Sequence, residues 1–150
     1  MKIFCDTNII MEFLFNRKEA IAIKEIFHWA TQTRSTKYLS CGSIYTLTYL
    51  IERALKNSDI DTKERESKLR GILTRIVLDY SIIENLDWLK AIKDSCFSDI
   101  EDSYQYQAAL SAKCDVLLTL NDRDFKQIKE SNNLIVLTPS EFIDQFCKNN

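Results

Sequence analysis

Short apolar runs placed between stretches of helical periodicity constrain this chain's fold more than any other feature. Ile3 to Cys5, Val116 to Leu118 and Leu134 to Leu137 are apolar without alternation. Strands of that kind are buried on both faces, as in parallel sheets covered by helices on each side. Lys37 to Ser40 and Ser81 to Ile83 read as two further short strands.

Between the runs, apolar residues recur at helical spacing. Asn8 to Phe15 reads as a short helix, followed by Lys18 to Thr31 with Ile23, Ile26, Phe27 and Ala30 on one face. Ser43 is placed to cap a helix through Ile44, Leu47, Ile51 and Leu55, which ends near Asn57. Asp61 to Leu78 starts charged (Lys63, Glu64, Arg65, Glu66, Lys68, Arg70) and becomes amphipathic; its start suits a solvated helix face. Leu86 to Lys93 and Ile100 to Lys113 are the next helices, and Pro139 leads into a closing helix from Ser140 to Phe146. Strands alternating with helices imply an α/β fold: a parallel sheet in a three-layer α/β/α sandwich with right-handed crossovers. With 150 residues, no internal repeat and no low-complexity linker, residues 1–150 read as a single domain.

Composition narrows the function classes. No apolar run reaches membrane-spanning length and no cleavable leader is evident, so a cytoplasmic location is expected. A net charge of −2 gives no global basic signature, and nucleic-acid binding would depend on where Lys and Arg cluster. The five cysteines are odd in number and include no C-x-x-C pair, which argues against a disulfide framework or a thiolate zinc site and for buried free thiols.

The polar residues that carry chemistry follow the strands. Asp6-Thr7-Asn8 comes directly after the first strand, Asp99, Glu101 and Asp102 open the helix before the fourth, and Thr119-Leu120-Asn121-Asp122-Arg123-Asp124 follows the fourth. In an open parallel sheet the carboxyl ends of the strands are where ligands bind. Hard divalent cations take oxygen ligands, often a few carboxylates with water completing the shell. Each Asp alone would suit a helix cap or a dipole partner. Three at strand ends, beside Asn8 and Asn121, point to a shared site. His28, the one histidine, lies between Phe27 and Trp29 on an amphipathic helix and suits packing better than catalysis. Tyr45, Tyr49, Tyr104 and Tyr106 could stack on unpaired bases, although as a group they suit packing.

Three stretches together resemble the PIN-domain family: Phe4-Cys5-Asp6-Thr7-Asn8-Ile9-Ile10, Asp99-Ile100-Glu101-Asp102-Ser103, and Thr119-Leu120-Asn121-Asp122-Arg123-Asp124-Phe125, with Leu137-Thr138-Pro139-Ser140-Glu141-Phe142 similar to the family's ending. The resemblance implies a five-stranded parallel sheet and a Mg²⁺- or Mn²⁺-dependent ribonuclease of the VapC toxin type, with RNA as substrate. It also implies an antitoxin partner and allows a homodimer. By motif, Asp6 and Asp102 would ligate the metal, Asn121 and Asp124 would form a further corner, and Thr7, Asn8, Thr119 and Glu101 would support the geometry. One departure stands out: where much of the family carries an acid on the helix after the second strand, this chain has Thr46. Either Asp99 or Glu101 makes up the missing ligand, or the domain is a catalytically degenerate PIN domain acting as a binding module.

Overall fold

The computed structural model describes residues 1–125 and 133–148. Five strands, β1 (Lys2–Cys5), β2 (Thr36–Ser40), β3 (Ser81–Ile83), β4 (Val116–Leu118) and β5 (Ile135–Leu137), form one all-parallel sheet in the order β3-β2-β1-β4-β5. The intervening helices are α1 (Thr7–Leu14), α2 (Ala20–Gln32), α3 (Cys41–Lys56), α4 (Thr62–Asp79), α5 (Trp88–Lys93), α6 (Ile100–Ser111), α7 (Asp122–Phe125) and α8 (Pro139–Phe142).

Because successive side chains of a strand point to opposite faces, each apolar strand feeds two cores. Ile3, Cys5, Val116, Leu118 and Leu137 pack with α1, α2, α3, α4 and α8; Phe4, Leu117 and Val136 pack with α6 and α7 on the other face. Helix α5 is tied to α6 by the Ser103 hydroxyl, which donates to the Ala91 carbonyl at 2.7 Å. The result is the three-layer α/β/α sandwich expected from the strand and helix alternation.

Several element ends depart from the sequence expectation for local reasons. Helix α3 is capped by Ser40 rather than Ser43: the Ser40 Oγ accepts the Ser43 N–H at 3.0 Å, so the helix begins three residues earlier. Asp87 caps α5, which delays its start to Trp88. The closing helix starts at Pro139 under a Thr138–Glu141 capping box and widens into a π-helical turn over Ile143–Cys147. The one-turn α7, too short for any periodicity to announce it, lies within the polar stretch that follows β4. Of the five free cysteines, Cys5 and Cys114 are buried, Cys41 and Cys147 are partly covered, and Cys96 is exposed, so burial accounts for only part of the set. Burial pushes the Cys5 and Cys114 thiols up to about 12. Among the described residues no helix is long and apolar enough to cross a membrane.

The chain runs outward from β1 to β2 and β3, then returns to the other side of β1 with β4 and β5. The carboxyl ends of β1 and β4 are therefore the switch point, where crossovers leave on opposite faces and open a crevice. Register sets what meets there. Cys5 pairs with Leu118, so Asp6 and Thr119, one step further along each strand, emerge side by side.

An aromatic cluster steers the remaining segments to the same place. Phe125 is fully buried, edge-on to Phe97 with centroids 5.4 Å apart and 6.4 Å from Tyr106. Phe97 precedes Ser98-Asp99, and Phe125 follows Asp124, so one cluster anchors both acidic segments. Phe125→Ala should lower unfolding free energy by about 3–5 kcal/mol, measured by urea denaturation; a loss below about 1 kcal/mol would mean that the cluster does not anchor α7.

Candidate active site

Asp6, the N-cap residue of α1, and Asp102, in the first turn of α6, open onto one concavity of about 370 Å³, together with Thr7, Asn8, Asp99, Glu101 and Asn121. Asp6 and Asp102 are both buried, at 4% and 7% exposure.

A chain of neutral donors holds the acids. The Thr119 hydroxyl donates to Asp6 Oδ2 at 2.7 Å, and the Asn8 amide donates to the same oxygen at 2.7 Å. Asn8 Oδ1 in turn accepts the Leu120 N–H at 3.2 Å, and Thr119 Oγ1 accepts the Asn121 N–H at 3.0 Å. The Asn121 amide then bridges two carboxylates, donating to Asp102 Oδ2 at 2.7 Å and Asp124 Oδ2 at 2.6 Å. The Ser98 hydroxyl closes the chain on Asp124 Oδ1 at 2.9 Å.

These surroundings separate the three carboxyls. Burial pushes Asp6 up to about 6 despite the opposing bond from Thr119, with the Glu101 charge adding to the rise. Burial also pushes Asp102 up, to about 7, reinforced by the charges of Asp6, Asp99 and Asp124. Asp124 goes the other way, held below the usual carboxylate range by the hydrogen bonds from Asn121 and Ser98.

The expected residues therefore converge, with differences in posture. Asp6, Asp102, Asn121, Thr7, Asn8, Asp99 and Glu101 line the concavity, and Thr119 is buried beneath Asp6. Asp124 stands behind Asn121 and is not part of the lining. Asp99 spends one carboxylate oxygen capping α6, where it accepts the Glu101 N–H at 2.8 Å. Thr46 and Leu50 are the α3 residues that line the concavity, and Glu52 instead pairs with Lys56 at 3.1 Å. No acid from α3 reaches the site. Among the described residues no three carboxylate, thiol or imidazole side chains are grouped to hold a cation unaided. The donor set is a carboxylate pair with neutral oxygens beside it.

Two features went unread in the sequence. The first is a buried hydroxyl–amide cluster under the concavity: Gln105 Nε2 donates to Thr7 Oγ1 at 3.1 Å, Ser40 Oγ donates to Gln105 Oε1 at 3.1 Å, and Thr7 Oγ1 donates to Ser43 Oγ at 2.9 Å. It clamps the starts of α1 and α3 to α6, and Gln105 lies one turn beyond Asp102, on the same side of the helix. Neutral residues of this kind carry no spacing signal. The second is Arg17, which lines the concavity from the turn after α1. Asn16 is left-handed there (φ 48°), with its N–H on the Phe13 carbonyl and the Arg17 N–H on the Glu12 carbonyl, the double bond pattern of a Schellman cap. The buried Glu12 carboxylate accepts the Glu19 N–H at 3.0 Å, closing the turn from its far side. Among the described residues the Arg17 guanidinium has no carboxylate partner and lies 5.3 Å over the Phe15 ring.

Residues 3–131 match the PIN domain family, and the chain belongs to it. No curated protein matches the chain at the level of sequence. Among solved structures, VapBC2 from Rickettsia felis, bound to a DNA fragment from their promoter, is similar: TM-score 0.62 at 18% identity, covering 92% of this chain and 98% of that chain. At that identity the likeness lies in the fold.

Two measurements check this geometry. Asp6 and Asp102 are both raised from 3.8, so the folded chain binds protons more tightly than the unfolded one. The stabilisation from protonation is complete below about pH 4 and is lost as pH climbs through 6 and 7. Asp6 alone accounts for roughly 3 kcal/mol. Melts in EDTA should therefore give a lower Tm at pH 8 than at pH 5, and Asp102→Asn should flatten the slope; a Tm indifferent to pH would contradict the burial of the pair. Gln105→Ala should cost about 1–3 kcal/mol by stranding buried hydroxyls, read from the denaturant midpoint.

Proposed function

We propose that this PIN domain is an endoribonuclease that hydrolyses RNA phosphodiester bonds with a bound divalent cation, Mg²⁺ or Mn²⁺, and that it is the toxin of a bacterial type II toxin–antitoxin pair. What carries the proposal is the Asp6–Asp102 pair: two carboxyls buried together at the switch point, with no cationic side chain paired to either among the described residues. Like charges in a dry crevice are costly, and a cation offsets that cost. Mg²⁺ keeps several waters and takes one or two protein carboxylates, which Asp6 and Asp102 can supply. The fold likeness to VapBC2 supports an antitoxin partner.

In this mechanism Asp6 and Asp102 would hold the cation, and Asp99, on the same rim, would make up for the acid absent at Thr46. A bound divalent cation supplies a water acidic enough to attack near neutral pH and offsets charge on the phosphate oxygens. Thr119 and Asn8 fix the orientation of Asp6. Asn121 does the same for Asp102 and is itself pinned by Asp124, which stays ionised. Arg17 brings the cationic side chain of the lining, and its planar fork suits two phosphate oxygens.

A catalytically degenerate domain that binds RNA without cutting it is the second reading, and Thr46 in the lining favours it. The two are separated by incubating purified protein with a mixed RNA substrate and Mn²⁺, with and without EDTA. The nuclease reading expects EDTA-sensitive cleavage that falls at least about a hundredfold in Asp102→Asn and about tenfold in Arg17→Ala, with partial recovery in Arg17→Lys. Equal activity of Asp102→Asn at saturating Mn²⁺ would overturn it.

A further inference from the structure

A second cleft, of about 290 Å³, lies beside the acidic concavity and shares Thr46 and Glu101 with it. One wall is aromatic. Trp88, 54% exposed at the start of α5, meets Tyr104 of α6 edge-on with centroids 5.2 Å apart. Gly42, in the first turn of α3, leaves the opposite wall open, and Glu84, exposed just after β3, stands on the rim. Neither Glu84 nor Glu101 pairs with a cationic side chain among the described residues.

Every element of this cleft suits a base rather than a phosphate. Exposed aromatic surface stacks on bases of unpaired strands, whereas carboxylates on the rim repel the backbone and accept from base N–H groups. The volume falls just below the range of about 300–1,000 Å³ typical of drug-sized ligands, which fits one base and not a dinucleotide. A carboxylate presents two acceptors side by side. Guanine alone among the four RNA bases presents two adjacent donors, N1–H and N2–H, on its Watson–Crick edge. Adenine and cytosine offer one amino donor next to a ring acceptor, and uracil one N–H between two carbonyls.

We propose that this cleft is a guanine subsite, in which Trp88, braced edge-on by Tyr104, provides the stacking surface and Glu84 reads the Watson–Crick edge of an unpaired guanosine adjoining the phosphodiester to be cut. The assignment rests on the ribonuclease reading for its position in the substrate, but binding of the base needs no cation. That separates the two in the test.

Calorimetric titration in EDTA with guanosine, adenosine, cytidine and uridine 3′-monophosphates should show guanosine monophosphate binding at least about tenfold more tightly than the others. Glu84→Gln, at an exposed position, should erase that preference. Gly42→Leu should fill the cleft and abolish binding. A Cβ at Gly42 meets only Ser40 Oγ at 3.7 Å, an ordinary contact, and leucine favours the helix over glycine. With Mn²⁺ present, cuts in an unstructured oligoribonucleotide should fall next to guanosines in the wild type and lose that bias in Glu84→Gln. Equal binding of the four nucleotides, no binding of any, or guanosine binding that survives both substitutions overturns the subsite; the last two would leave the cleft to a protein partner. Selective guanosine binding by a protein that cuts no RNA keeps the subsite and discards the nuclease.

Discussion

The hydroxyl of Thr119, donating to Asp6 across the gap between two parallel strands, is the contact on which the site depends. Asp6 leaves the end of β1 with its backbone N–H already given to the Leu118 carbonyl, at 3.0 Å. Its side chain would face a poorly hydrated crevice with little to hold it ionised. Thr119 and Asn8 supply two neutral donors to one oxygen, which lowers the cost of charge without cancelling it. A salt bridge there would occupy the carboxylate. Neutral donors orient it and leave its charge available.

From that contact the rest of the architecture follows outward. Asn121 receives its position from Thr119 and passes it to Asp102 and Asp124. The Gln105 cluster beneath prevents α1, α3 and α6 from drifting apart under the repulsion between Asp6 and Asp102. On the other face, the buried rings of Phe97, Tyr106 and Phe125 hold the acidic segments down. Polar bonds therefore set directions at the crevice, while apolar contacts on both sides of the sheet fix the distances between elements.

How much of this was legible in the chain varied with the type of signal. The uninterrupted runs at Ile3–Cys5 and Val116–Leu118 marked the two central strands because a strand buried on both faces has no polar alternation to blur it. Asp6, Asp102 and Asn121 were legible because they follow such strands or open a helix beside them. Ser40 and Ser43 were confused because both hydroxyls are good caps and only the backbone decides between them. Asp99 reads equally as a ligand or a cap; one of its carboxylate oxygens caps α6, and the residue also lines the concavity. Gln105 and Arg17 stayed hidden for different reasons: one works through neutral hydrogen bonds with no periodicity, and the other owes its place to a left-handed Asn16 that only the fold reveals.

The partners of Asp6 lie far along the chain: Asp102 on α6, and Thr119 beyond β4, whose own N–H needs the Leu137 carbonyl of β5. A ribosome emits Asp6 long before Thr119 and Leu137. Since long-range strand pairing waits for both partners to be available, a growing polypeptide carries the crevice as scattered pieces until β5 has been made. The crevice therefore takes shape only when β5 joins the sheet, however long its first acid has waited.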